Sequence, residues 1–155
     1  MITKIEVWDA NKISSVELDT LTYPLQKFSW EYPMAGDTIP RPFSAGRHNS
    51  RKSVGYMTLD CEGEILGSST SNYWANRKAL VTKVLPARIQ TPSVYRHSYI
   101  ELTLDDSTIY HADLQLASYS IPLAATGAPT ISPFMFSWEI NEGYWLDALG
   151  AAALL

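Results

Sequence analysis

Cysteine is nearly absent from this sequence. Cys61 stands alone among 155 residues, which excludes an internal disulfide and a thiolate metal cluster built from this chain alone. Its expected place is that of a small buried hydrophobe. Long apolar runs are lacking too, since no stretch approaches the roughly 20 residues that a membrane-spanning helix requires. The opening MITKIEVWDANKI has no apolar core behind its first lysine, so it does not read as a signal peptide, and the expected site of synthesis and folding is a cytoplasm. Local catalytic signatures are also missing: the chain has no GxSxG, HExxH, phosphate-binding loop, glycine-rich dinucleotide fingerprint or CxxC. A site assembled from distant residues would leave no such trace, but an enzyme is the less economical reading, and neither a catalytic residue, a metal nor a cofactor is expected.

Hydrophobic residues at 46% and charged ones at 18% are the proportions of a folded globular chain, and the length suits one domain, residues 1–155, able to bury a core without staples. Apolar and polar residues alternate through much of it, the mark of half-buried strands. In KFSWEY, Phe28, Trp30 and Tyr32 share one face while Lys27, Ser29 and Glu31 share the other. In YIELTLDDSTIYHADLQL, Ile100, Leu102 and Leu104 precede a polar DDST turn, and Tyr110, Ala112, Leu114 and Leu116 lie on a returning strand, which together predict a hairpin. Further strands are expected at residues 3–8, 14–22, 54–61 and 134–141, the last with Phe134, Phe136 and Trp138 or their neighbours turned to a core. Short strands separated by Pro and Gly predict a mainly β fold, a β-sandwich or partly open barrel.

One helix is expected, over about 72–85, where SSTSNYWANRKALVTKVLP carries candidate N-caps at Ser68, Ser69 and Ser71 and stops at Pro86. Tyr73, Leu80, Val81 and Val84 form its apolar face, flanked by Trp74 and Leu85, and Arg77 falls in the middle of that face. A guanidinium there must snorkel to water or meet a carboxylate. Residues 33–52, with three prolines and two glycines between good strands, are too long for an ordinary connection and read as an extended arm projecting from a strand pair. The terminal LDALGAAALL is almost wholly apolar, so its own domain or a neighbour must cover it.

Charge is segregated. From Thr38 to Ile100 there are nine Lys or Arg against three acids, whereas the remainder holds three Lys against 13 acids, which together give the net charge of −4. Oppositely charged segments suit head-to-tail association in which two different patches meet and a ring closes. Folding could equally mix the segments so that the charges pair within one subunit. Nucleic-acid binding through Tyr73, Trp74, Arg77 and Lys78 is a third reading, disfavoured by the acidic balance.

Two clusters merit a chemical reading. His111 and Asp113 share a strand face, as do Asp60, Glu62 and Glu64; an imidazole beside a carboxylate can serve as a base or half a metal site, but polar residues on a solvent face are the simpler account. His48 and His97 have no spaced partner. Among the five Trp, Trp30 and Trp138 are expected in the core, Trp74 could anchor a protein interface, and Trp8 and Trp145 are open between packing and display. If displayed, they would make the chain a monomeric β-sandwich carbohydrate-binding module, the alternative function.

The order of features, alternating strands, a long arm, VGYMTLDCEGEILGSSTSNYWANRKALVTKVL with Gly67 before the serine-rich turn and the aromatic, basic YWANRKAL, a hairpin, and FMFSWEINEGYW near the end, resembles the N-terminal ring-forming domain of siphophage distal tail proteins. The resemblance implies a β-sandwich with one helix and a long hairpin that assembles into a hexameric ring. Such a ring is a structural virion component joining tail tube protein to tail tip, hub or baseplate, assembled in the host cytoplasm, and DNA passes through its channel without specific binding. It implies no enzyme. By the same resemblance the arm would reach a neighbouring subunit, and the interface would include Ile39, Arg41, Phe43, Arg47, Arg51, Trp74 and Arg77. Many distal tail proteins carry a second, C-terminal domain with receptor-binding parts. Here only LDALGAAALL follows the last strand, which favours a purely structural joint. Tube subunits and tail terminators share these features, so the ring's place in the stack stays open.

Overall fold

The computed structural model describes residues 1–9, 11–32, 34–35, 38–40, 47–49, 53–54, 56–84, 87–88, 95–96, 98–122, 128–140, 143–153 and 155. Its strands are β1 (Ile2–Trp8), β2 (Ser15–Leu18), β3 (Leu25–Glu31), β4 (Met34–Ala35), β5 (Thr38–Pro40), β6 (Arg47–Asn49), β7 (Ser53–Val54) and β8 (Met57–Leu66). The single helix among the described residues, α1 (Thr70–Val84), follows, and then β9 (Ala87–Arg88), β10 (Tyr95–Arg96), β11 (Ser98–Leu104), β12 (Ile109–Ser120), β13 (Ile131–Ile140), β14 (Trp145–Asp147) and β15 (Ala152–Ala153). The fold is mainly β, as the alternation predicts.

The main sheet runs β2-β1-β11-β12-β13-β8-β3, with β14 beside β12 and β15 beside β14. Strand β12 carries it round a corner. Its residues up to Leu114 pair with β11, and those from Gln115 onward pair with β13, with a register shift between Leu116 and Ser118. An irregularity of this kind bends a strand and increases its twist. The two half-sheets so joined share one core, Ile5, Val7, Val16, Leu18, Ile100, Leu102 and Leu114 from one side and Met57, Leu59, Ile65, Phe134, Phe136, Trp138 and Ile140 from the other. The sheet does not close. A cleft of about 290 Å³ lies between the edges, lined by residues of β1 and β2 on one bank and Leu25–Phe28 of β3 on the other, so the architecture is that of a partly open barrel.

Period-2 patterning explains the longest strands. On β8, Met57, Leu59, Cys61, Gly63 and Ile65 are buried, and the residues between them are only half-buried. On β13, Phe134, Phe136 and Trp138 turn inward, with ring centroids 5.1 and 5.3 Å apart along the series. Burial pushes the Cys61 thiol up to about 12, so it packs as an inert hydrophobe.

Helix α1 begins two residues before its expected start because Ser69 is the N-cap: its Oγ accepts the Asn72 N–H at 3.2 Å, while Asn72 Oδ1 accepts the Ser68 N–H at 3.1 Å. Tyr73, Leu80 and Val84 are its buried residues. The Tyr73 hydroxyl donates to Ser132 Oγ at 2.7 Å, and Asn76 Nδ2 donates to the Leu66 carbonyl at 2.7 Å. Gly67 is needed where the chain turns from β8 into α1, because a Cβ there would lie 2.4 Å from the Tyr73 backbone nitrogen.

Candidate assembly interface

The segment expected to form an arm is a hairpin that prolongs the β3–β8 pair. Within that pair Glu31 faces Thr58 and Trp30 faces Leu59. Further out, Met34 faces Val54 and Ala35 faces Ser53, and beyond them Thr38 faces Asn49, Ile39 faces His48 and Pro40 faces Arg47. The sum of paired residue numbers falls by one at each break, from 89 to 88 to 87, so these are successive lengths of one antiparallel ladder leaving the sheet. Ile39 and Arg47 thus lie near each other in its outer rungs. Arg41, Phe43 and Arg51 lie outside the described residues, as does His97.

The other two candidate interface residues sit on α1. Trp74 is 42% exposed, and the Arg77 guanidinium carbon lies 5.7 Å from its ring centroid, a cation–π arrangement. Arg77 departs from both expected alternatives. It is half-buried, its Nη2 donates to the Ile121 backbone carbonyl at 3.3 Å, and its buried Nε has no partner among the described residues. The half-met guanidinium under an exposed indole is the most polar break in the helix's apolar face.

The absence of acids from α1 is partly answered inside the subunit. Lys83 reaches Asp9 Oδ2 at 3.2 Å and also donates to Ser14 Oγ. Burial would push the Asp9 carboxyl up, but the Ile13 N–H, the Ser14 hydroxyl and the Lys83 ammonium outweigh it and hold the group at about 2. One helix cation is therefore spent internally, one is shared with a backbone carbonyl, and Lys78 stays exposed.

A second hairpin, Ala87–Arg88 against Tyr95–Arg96, escaped the sequence reading. The C-terminus was missed as well: β14 pairs with β12 at Tyr110 and His111, and β15 pairs with β14. The Leu155 carbonyl accepts the Trp30 indole N–H at 3.2 Å, and the Leu155 N–H donates to the Tyr32 hydroxyl oxygen at 3.2 Å. These bonds tether the apolar tail at the root of the arm, but Ala148, Leu149, Ala151, Ala152 and Leu155 remain exposed.

Neither cluster becomes a metal site among the described residues. His111 lies against Tyr99, ring centroids 5.2 Å apart, with the Lys12 ammonium 4.1 Å from the Tyr99 ring on a neighbouring approach. Burial first, then Glu101 and Asp113, pushes the Tyr99 phenol up to about 12. Among the described residues no three His, Cys, Asp or Glu gather as metal ligands. The sugar-platform aromatics fare no better: Trp145 is fully buried, edge-on to Trp30 at 5.6 Å, and the Trp8 indole nitrogen is buried. Trp138 is core as expected, whereas Trp30 is half-buried at its margin.

No protein-family model matches the chain, and no curated protein matches it. Its fold does match solved structures. The SPP1 Dit protein, described as a paradigm of the hub adsorption apparatus in phages infecting Gram-positive hosts, matches with TM-score 0.59 and 9% identity over 92% of this chain and 52% of that one. A chain of the phage p2 baseplate in its activated conformation matches with TM-score 0.59 and 12% identity in the calcium form and 0.58 and 11% in the strontium form, over 90% and 88% of this chain. The chain spans about half the length of these neighbours, 43 to 52%. This mainly β fold is thus shared with solved phage Dit and baseplate proteins.

Proposed function

We propose that this chain is a structural ring subunit of a phage tail, placed at the distal joint between the tail tube and the tip or baseplate, with no enzymatic role. The observation that carries the reading is the hairpin running out of the β3–β8 ladder. A two-stranded extension of that length cannot bury enough surface to be stable alone, and its value lies in what it reaches. The fold likeness to Dit and baseplate proteins supports a neighbouring tail subunit as the thing reached. In this reading the arm carries Ile39, Arg41, Phe43, Arg47 and Arg51 to the next subunit, and apolar burial supplies most of the affinity while charge sets register and partner. Six copies close a ring around the DNA path, and the ring's faces meet the tube protein on one side and hub proteins on the other, within the virion.

The test is native mass by light scattering or native mass spectrometry at about 10 µM in low and high salt. A closed species of about six subunits that loosens with salt is expected. Deleting residues 35–50 is expected to leave a folded monomer. A deletion variant that still forms the full ring removes the arm from the assembly, and a salt-independent monomer of the intact chain overturns the self-assembling ring.

A further inference from the structure

The outward face of the β12-β13-β8-β3 half-sheet is largely exposed among the described residues, and its composition is unusual. Reading across the registers, one row holds Glu31, Thr58, Glu139 and Gln115, the next Ser29, Asp60, Ser137 and Ser118, and the next Lys27, Glu62, Met135 and Ser120. Glu64 beside Pro133 and Leu66 beside Ile131 complete it. Five carboxylates therefore stand against one ammonium. Lys27 sits 3.5 Å from Glu62 and 3.8 Å from Asp60, and no ion pair engages Glu31, Glu64 or Glu139 among the described residues. Beside the acids of β8 runs an exposed apolar stripe on β13, with Ile131 and Met135 each about half exposed, at 52% and 50%.

The chain carries the complement of this face. Residues 33–55 hold Arg41, Arg47, Arg51 and Lys52 against Asp37 alone, together with the apolar Ile39 and Phe43. The described rungs of the hairpin continue the β3–β8 ladder beyond the Glu31 and Thr58 end of this face. We propose that the outward face of β12-β13-β8-β3 is the seat for the basic hairpin of a second copy of this chain, with the apolar stripe of β13 receiving the hairpin's hydrophobic residues and the β8 acids its arginines. This contact rests on the ring reading above and specifies its receiving half. It is heterologous, one patch meeting a different one, which is the geometry that propagates round a ring.

The test uses the full chain with Glu31→Lys, Glu64→Lys and Glu139→Lys combined, three exposed or half-exposed outward positions whose replacement leaves the core untouched. Circular dichroism and thermal unfolding check the fold. The expected result is that the intact chain forms rings, the triple variant forms them at least about tenfold more weakly, since like charges now meet across the joint, and adding Arg41→Glu, Arg47→Glu and Arg51→Glu to the same chain restores them. A folded triple variant that assembles like the parent overturns the proposal, as does loss without rescue. Triple-variant rings that form normally and newly retain duplex DNA in a gel-shift assay also overturn it, and assign the face to the DNA path instead. If arm deletion abolishes rings and the triple variant does not, only the seat is wrong. If the intact chain never assembles, the ring reading and the seat fall together.

Discussion

The Asp9 carboxylate offers the sharpest quantitative check on how this chain uses its charges. Its Oδ1 accepts the Asn11 and Ile13 N–H groups at 3.1 and 3.0 Å, and its Oδ2 accepts from Ser14 Oγ at 2.9 Å and Lys83 Nζ at 3.2 Å. A fall in pKa from 3.8 to about 2 corresponds to about 2.4 kcal/mol of folding free energy. The side chain keeps 21% of its exposure, and solvent screening brings the working figure to about 1.5–2 kcal/mol. The folded pKa lies below the unfolded one, so this stabilisation is complete above about pH 4 and disappears as pH falls through 2.

The perturbation is Asp9→Asn, measured by urea unfolding at pH 7, 4, 3 and 2 beside the parent. At pH 7 the parent should be more stable by about 1.5–2 kcal/mol, equivalent to roughly 3–8 °C in Tm for a chain of this size. That gap should shrink below pH 4 and close by about pH 2, because the protonated Asp9 is then neutral like the amide. Other carboxylates titrate in both proteins and cancel in the difference. A gap that stays constant from pH 7 to 2 would show that the loss is one of shape and not of charge. Ring formation at pH 7 should be the same in both proteins, since Lys83 is committed within its own subunit; a variant that folds but fails to assemble would refute that assignment.

Gly67→Ala should destabilise the fold by about 1–3 kcal/mol, because its methyl would fall 2.4–2.6 Å from Tyr73 backbone and Cβ atoms that cannot step aside; thermal unfolding checks it, and an unchanged Tm would refute the close approach. Arg77→Leu should alter monomer stability by no more than about 1 kcal/mol, since it gives up one bond to the Ile121 carbonyl but also removes an unpartnered buried Nε. If Arg77 and Trp74 lie at the joint, the same variant weakens ring formation in native mass measurements; unchanged mass and Tm take Arg77 out of the interface. Trp145→Ala should cost about 3–5 kcal/mol with no saturable sugar binding to lose on a glycan array, because its indole is fully buried.

Much of the fold was written in local periodicity. Alternation predicts strands at 54–61 and 134–141, which overlap the observed Met57–Leu66 and Ile131–Ile140, and the serines ahead of Tyr73 mark the helix start to within two residues. What stayed hidden depends on partners distant in sequence. The Ile121 carbonyl that meets Arg77 is 44 residues away and is backbone, so no side-chain pattern could announce it. The turn of β12 from one half-sheet to the other hangs on a register shift at Leu116–Ser118, which in sequence is just one more alternation among many. Trp145 was undecided because its burial comes from β12 and Trp30, not from its neighbours in WLDALG. The arm was legible as an excess of proline and glycine, yet only the pairing of Ile39 with His48 and Pro40 with Arg47 gave it direction.

That direction changes what the charge segregation means. Divided by structure instead of by position in the chain, residues 33–55 and 85–97, which contain the two small hairpins, hold six basic residues and one acid, whereas everything else holds six basic and 15 acidic. These two segments are therefore at +5 and the remainder at −9. Had the cations been distributed to neutralise the body, Lys83 with Asp9 and Lys27 with Asp60 and Glu62 would be the rule, and the hairpins would not concentrate half of the Lys and Arg. A body with surplus carboxylates repels itself, and in the proposed ring the basic segments of a neighbouring copy would relieve that repulsion. In the proposed ring, head-to-tail association would bring the basic segments of one copy to the acidic remainder of the next.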